Sequence, residues 1–204
     1  MTASRPHLQD IRQVSDGWIK KYLLTYALPN GSVLEYESAS RKGLAAYRSE
    51  LEGNPLGEKP LIDAVCIVPQ TPEGDLLLIR EFRYPLNSWC IAFPAGLKEG
   101  DESLKSCVER ELREEVGYAP RKDLGEKALE PLPQAGFSSA GLTDESVHMV
   151  FVQVEKAFEA QPEPTEFIEP FLLPISDIPR FLAENTTPLE TRAQLVLEAF
   201  ARRR

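Results

Sequence analysis

From Gly17 onward apolar side chains recur at every second place. Trp18, Tyr22, Leu24, Tyr26 and Leu28 share one phase, with Lys20 in register. That period of two predicts a half-buried strand. Leu28-Pro29-Asn30-Gly31-Ser32 follows, and an Asn-Gly pair between two alternating runs predicts a hairpin turn. Residues 33–40 read as the return strand. Residues 1–16 show no period and are expected to form a loose arm. Gly53, Asn54, Pro55 and Gly57 mark a loop. The chain therefore divides into residues 1–57 and residues 58–204. A lone hairpin is marginally stable, so the first part is expected to pack on the second or on another subunit.

The second part has a richer pattern. Residues 61–68, 76–82, 89–93, 147–154 and 167–173 are short β-rich runs, with a turn at 71–75. Residues 103–116 read as a helix, capped by Ser103 and stopped by Gly117. Residues 176–183 and 188–201 read as two more helices, the last with proline near its start. Many strands mixed with few helices predict a layered α/β or α+β domain. Neither an internal repeat nor a low-complexity segment interrupts it.

Composition narrows the function classes. The 204 residues are 42% hydrophobic and 27% charged, a globular composition. No run of about 18 apolar residues is present, so no membrane-spanning helix is expected. Residues 1–18 lack the apolar stretch of a secretory signal, which points to the cytoplasm. Cys66, Cys90 and Cys107 are odd in number and flanked by apolar residues, so they read as core thiols. The net charge of −9 disfavours a nucleic-acid partner, which would ask for a basic excess. An acidic protein acting on an anion needs local positive charge, from arginines or bound cations.

The helix at 103–116 supplies the chemistry. On a helical wheel Leu104, Val108 and Leu112 form a stripe flanked by Cys107 and Val116. Glu111 and Glu115 fall at its centre and Glu114 on its flank. Lys105, Glu109 and Arg113 already fill the solvent face. Two carboxylates at i, i+4 stand side by side and repel, and burying them uncompensated is costly. Divalent cations resolve the conflict, because Mg²⁺ takes hard oxygen ligands. Arg110 is placed to orient Glu114.

Residues 96–118, GLKEGDESLKSCVERELREEVGY, resemble the Nudix box. The matching positions are Gly96, Glu102, Arg110, Glu111, Leu112, Glu114, Glu115, Gly117 and Tyr118. The resemblance implies an α/β/α sandwich with a mixed sheet, here with a small N-terminal antiparallel β-domain. It also implies cation-dependent cleavage of a nucleoside diphosphate linked to another group. Within Nudix proteins the chain is similar to the ADP-ribose and ADP-sugar pyrophosphatases. Arg80-Glu81-Phe82-Arg83 and the run from Cys90 to Gly96 resemble that group's stretch ahead of the box.

The same resemblance implies the remaining roles. Glu111, Glu114, Glu115 and the Ala95 carbonyl would hold Mg²⁺, or alternatively Mn²⁺, with Glu102 a less direct contributor. Arg83 and Arg41 would hold phosphate or the terminal ribose, and Glu145 the ribose or a water. Trp18 and Tyr36 would sandwich the nucleobase, one from each subunit of a homodimer that exchanges its N-terminal β-domains; cross-strand packing is the plainer alternative. The general base maps to Glu166 in the acidic loop 159–166, with Glu163 and Glu169 as alternatives. Two departures stand near the sugar end: Ala92 replaces the group's common acid, and Ala140 its proline, with Pro133 near the usual spacing. The leading expectation is hydrolysis of an ADP-sugar to AMP and a sugar phosphate. Another nucleotide-sugar or dinucleotide, such as GDP-mannose or NADH, is the alternative, and a non-catalytic ligand sensor the third reading. His7, His148 and Trp89 read as structural.

Overall fold

A computed structural model describes residues 5–53 and 62–202. The expected loop at Asn54, Pro55 and Gly57, and with it the cut at residue 57, lies outside the described residues. The chain forms two compact units. The first holds the described residues up to 53 together with Ala135–Val147, and the second holds Ile62–Gln134 with His148 onward.

In the first unit β1 (His7–Gln13), β2 (Lys20–Ala27) and β3 (Val33–Ser40) form an antiparallel sheet in the order β1-β2-β3. The β2–β3 hairpin turns at Asn30-Gly31, and Gly31 takes φ +84° as that turn requires. Residues 7–13 are a strand, not part of a loose arm. Ile11 is the single fully buried residue of β1, so the strand shows no alternation to read; its pairing with β2 creates it. Helix α1 (Leu44–Gly53) is a second departure from the expected loop, and it too buries one side chain, Tyr47. The Tyr47 ring lies 4.7 Å from that of Tyr22, and with Ile11 and Leu24 these form the unit's core. Segment 135–147 closes on β3: Ala39 N–H donates to the Leu142 carbonyl at 2.9 Å. It contributes β10 (Gly136–Phe137), paired with the start of β11 (Ser146–Lys156).

The second unit is built on a mixed sheet in which β11, β4 (Ala64–Gln70), β5 (Leu76–Arg83) and β12 (Ile168–Leu173) lie side by side. β6 (Ser88–Ala92) pairs with β5, β7 (Ala95–Leu97) with β4, and β8 (Tyr118–Pro120) and β9 (Leu129–Pro131) with β11. β4 and β5 are buried on both faces, as continuous apolar runs demand. Val65, Ile67, Leu77 and Ile79 pack with Cys107, Val108, Leu112 and Val116 of the glutamate-bearing helix. Elsewhere in the unit α3 (Ile178–Glu184) and α4 (Thr191–Arg202) bury Ile178, Ala193 and Leu197. Helix α4 begins three residues after Pro188, whose carbonyl accepts from Ile91 N–H at 2.8 Å. Its start is capped by the Glu190 carboxylate, which accepts from Arg192 and Ala193 N–H. The three cysteines are buried and unpaired. Burial pushes the thiols of Cys66 and Cys107 up to about 12, in keeping with inert core residues.

Candidate active site

The glutamate-bearing helix is α2 (Leu104–Glu111), continued by one π turn over Leu112–Val116. Ser103 Oγ accepts from Ser106 N–H at 3.0 Å, so the cap falls where the sequence predicts. The widened last turn departs from the regular helix expected through residue 116. It carries Glu114 and Glu115, and such turns are frequent at functional sites. Gly117 ends it at φ +72°, where an added Cβ would overlap the Phe158 carbonyl and Ala160 N. Only glycine lets the chain pass so close there.

Glu111 and Glu115 are 7% and 4% exposed, as the wheel demands for carboxylates at the centre of an apolar stripe. Glu114 is half-buried on the flank. Burial pushes the Glu111 carboxyl up to about 7, against the pull of Arg110. Burial and the charge of Glu111 push Glu115 well above the usual carboxylate range, with Glu81 adding to the rise. Arg110 works as a hub. Its Nη1 donates to Glu111 at 2.7 Å and to Glu114 at 3.4 Å, and its Nη2 donates to Glu102 at 2.9 Å and to the Leu97 carbonyl at 2.8 Å. The Arg110 bonds hold Glu102 down to about 2. Gly96 makes room for this cluster, because a Cβ there would overlap the Glu111 carboxylate.

The carboxylates do not converge on one point in this arrangement. Glu111 and Glu114 sit on Arg110, and Glu115 accepts from Ala95 N–H at 3.1 Å. Among the described residues no group of three His, Cys, Asp or Glu side chains is gathered for a metal. The donor chemistry nevertheless fits a hard divalent cation. Two desolvated carboxylates with raised proton affinity lie one helical turn apart, and the Arg110 guanidinium bonds to Glu111, while Glu115 has a backbone N–H as its hydrogen-bond donor.

That imbalance makes the stability of the cation-free protein depend on pH. Acids whose folded pKa is raised contribute stability that is full below about 4.5 and lost as pH rises through their folded values. Glu102 has the opposite sign, but its window lies below pH 5. Without cations, the melting temperature is therefore expected to fall by several degrees between pH 5 and pH 8. Mg²⁺ should restore more of it at pH 8 than at pH 5. A flat pH profile in calorimetry, indifferent to cations, would contradict this.

Arg83 and Glu81 lie on β5 in phase with the core residues Leu77 and Ile79. Arg83 Nη1 donates to Glu81 Oε1 at 2.7 Å, and this pairing raises the proton affinity of Arg83 against partial desolvation. Glu81 was not singled out in the sequence, although an acid continuing a buried phase was a readable signal. Arg80 points to the other phase, with its guanidinium 4.5 Å above the Trp89 ring and its Nε 2.9 Å from Glu169 Oε2. Glu169 is thus occupied by an ion pair. Glu166 is half-buried, and its carboxylate accepts from Glu163 N–H at 2.9 Å. Its charge acts on both Glu111 and Glu115, whereas Glu163 is exposed.

In the first unit Arg41 pairs with Glu145, and Lys42 with Asp144 at 2.8 Å and Glu50 at 3.1 Å. Tyr36 donates to the Gly141 carbonyl at 2.7 Å and lines a cavity of about 420 Å³ with Leu24, Leu34, Phe137 and Leu142. Trp18 is 74% exposed and precedes the Lys20–Ser40 end of the hairpin, while Tyr36 pairs with Leu24. The two rings are not stacked on each other within one chain. His148 Nε2 is bonded to the Leu132 carbonyl, a structural contact, and His7 sits in β1.

Residues 60–193 match the NUDIX domain. The chain belongs to the NUDIX family. Among its relatives is an ADP-sugar pyrophosphatase of Mus musculus, 32% identical over 179 residues, a match that spans 81% of this chain and 72% of that protein. An ADP-ribose pyrophosphatase of Saccharomyces cerevisiae is 28% identical over 176 residues, spanning 83% of this chain and 70% of the other. A crystal structure of an ADP compounds hydrolase superposes with a TM-score of 0.73 at 20% identity, covering 99% of this chain and 95% of that one, a likeness of fold. The protein is a hydrolase of that family. Among the described residues no helix is long and apolar enough to cross a membrane.

Proposed function

We propose that this protein hydrolyses the diphosphate bond of ADP-ribose or a related ADP-sugar, giving AMP and a sugar phosphate. The observation that carries the reading is the buried pair Glu111 and Glu115, desolvated and only partly neutralised, on a helix of a family that includes the mouse and yeast pyrophosphatases. Glu111, Glu114, Glu115 and the Ala95 carbonyl would hold Mg²⁺, with Mn²⁺ an acceptable substitute in an all-oxygen set. Bound there, the cation supplies positive charge against the diphosphate oxygens and acidifies an attacking water.

The chain's own residues do the rest. Arg83, oriented by Glu81, offers a fork that matches a phosphate oxygen pair. Glu166 takes the proton of the attacking water, from a loop that reaches both cation-binding glutamates with its charge. Arg41 and Glu145, paired in the first unit, are a donor and an acceptor for phosphate and ribose hydroxyls. Trp18 and Tyr36 would each stack on a nucleobase, one from each subunit of a homodimer. Their separation within one chain favours a shared site, as does the exposure of Trp18, Ile19, Val33, Leu34 and Phe137. Sedimentation at micromolar concentration is expected to give a dimer, and a fully active monomer would remove the shared-site reading.

A second substrate reading rests on Ala92 and Ala140, where the related group carries an acid and a proline. The deciding experiment presents ADP-ribose, ADP-glucose, GDP-mannose, UDP-glucose and NADH with Mg²⁺ and separates the products by chromatography. AMP from ADP-ribose at low substrate concentration supports the first reading. Preference for a non-adenine sugar nucleotide transfers it to the second.

A further inference from the structure

Tyr84 stands where β5 ends and the Tyr84–Leu86 turn begins. β5 and β12 pair antiparallel, with Ile168 opposite Glu81 and Glu169 opposite Arg80. The same register continues past the formal end of β12. Phe82 N–H donates to the Phe167 carbonyl at 3.1 Å. In an antiparallel ladder hydrogen-bonded rungs recur every second residue, so the next should join Tyr84 to Thr165. The Tyr84 backbone is committed to the turn, since its carbonyl accepts from Asn87 N–H. Thr165 is committed to a turn as well, which Glu166 N–H closes on the Glu163 carbonyl at 2.9 Å, so the backbone rung is not made. A side-chain bond stands there instead: the Tyr84 hydroxyl donates to the Thr165 carbonyl at 3.0 Å.

This bond ties the turn that carries Glu166 to the end of β5. Ile168, two residues on, packs on the core that holds the glutamate-bearing helix. A slip of β12 by one residue along β5 would turn Ile168 off that core and shift the turn with it. Tyr84 is braced for the task. Its ring meets Phe82 edge-on at 5.6 Å, and Phe82 meets Trp89 edge-on at 6.0 Å.

We propose that Tyr84 is a positioning residue, whose hydroxyl anchors the 163–166 turn to the end of β5 and so fixes the placement of Glu166. The inference rests on Glu166 as general base. Tyr84→Phe removes only the hydroxyl from a ring that is 62% exposed, so folding is not at stake. With ADP-ribose and Mg²⁺, kcat is expected to fall roughly three- to tenfold, the worth of one hydrogen bond, with KM within twofold. The same change in a Glu166→Gln background is expected to cost nothing further. In the cation-free protein, hydrogen exchange of the amides at 163–167 should accelerate while the melting temperature holds. Unchanged exchange with unchanged kcat would overturn the proposal, as would an equal loss in both backgrounds. If Glu166→Gln itself retains turnover, the base assignment fails instead, and the exchange rates still decide whether Tyr84 anchors the turn.

Discussion

Glu115→Gln is expected to lower turnover of the preferred nucleotide-sugar by about a thousandfold or more while leaving the fold intact. Glu115 is 4% exposed, and its proton affinity is raised by burial and by Glu111. In the proposed reading that unfavourable charge is what binds the cation. Cation charge stabilisation is worth several kcal/mol in the transition state, and every 1.36 kcal/mol is tenfold in rate. The glutamine amide keeps the shape and can still accept from Ala95 N–H through its oxygen. Without cations the variant should therefore melt no lower than the parent at pH 8, because a buried negative charge has gone. Steady-state rates and thermal melts on the same preparations test both halves. Near-parental turnover would remove Glu115 from the cation site, and a large loss of stability would show that the carboxylate serves the fold.

Glu166→Gln is expected to lower kcat by about 10²–10⁴, the usual range for a positioned general base, with KM changed only a few-fold. The amide oxygen can still accept from Glu163 N–H, so the loop should keep its form. The surroundings of Glu163, Glu166 and Glu169 favour Glu166 for this role. Glu169 is held by Arg80 and Glu163 is exposed, while Glu166 acts on Glu111 and Glu115. The control is Glu145→Gln, whose side chain pairs with Arg41. A larger loss there than at Glu166 would move the base to segment 135–147.

The two units differ in how far they could be read from the chain. The glutamate-bearing helix was legible because its apolar stripe has the helical period, and the carboxylates that interrupt it conflict with burial. Its cap at Ser103 and stop at Gly117 fell where residue chemistry puts them. The π turn was not legible, since a one-residue widening leaves the stripe almost unchanged. β1 and α1 escaped because each buries a single side chain, Ile11 and Tyr47, and owes its form to its neighbours. The hub formed by Arg110 was half legible: Glu114 lies one turn away, whereas Glu102 and the Leu97 carbonyl join through the fold. Glu81 could have been found beside Arg83, because the two carry the phase of Leu77 and Ile79 onward with charges. The pairing of Arg41 with Glu145 spans 104 positions and depends on how segment 135–147 closes on β3, which no local pattern encodes.

The most direct measurement is product analysis of ADP-ribose incubated with the purified protein across a Mg²⁺ titration. Equimolar AMP and ribose phosphate, absent with chelator and absent in Glu115→Gln, is the expected result. No product from ADP-ribose or any other nucleotide-sugar at saturating cation would contradict the proposed activity and leave the glutamate cluster a ligand-binding site without chemistry.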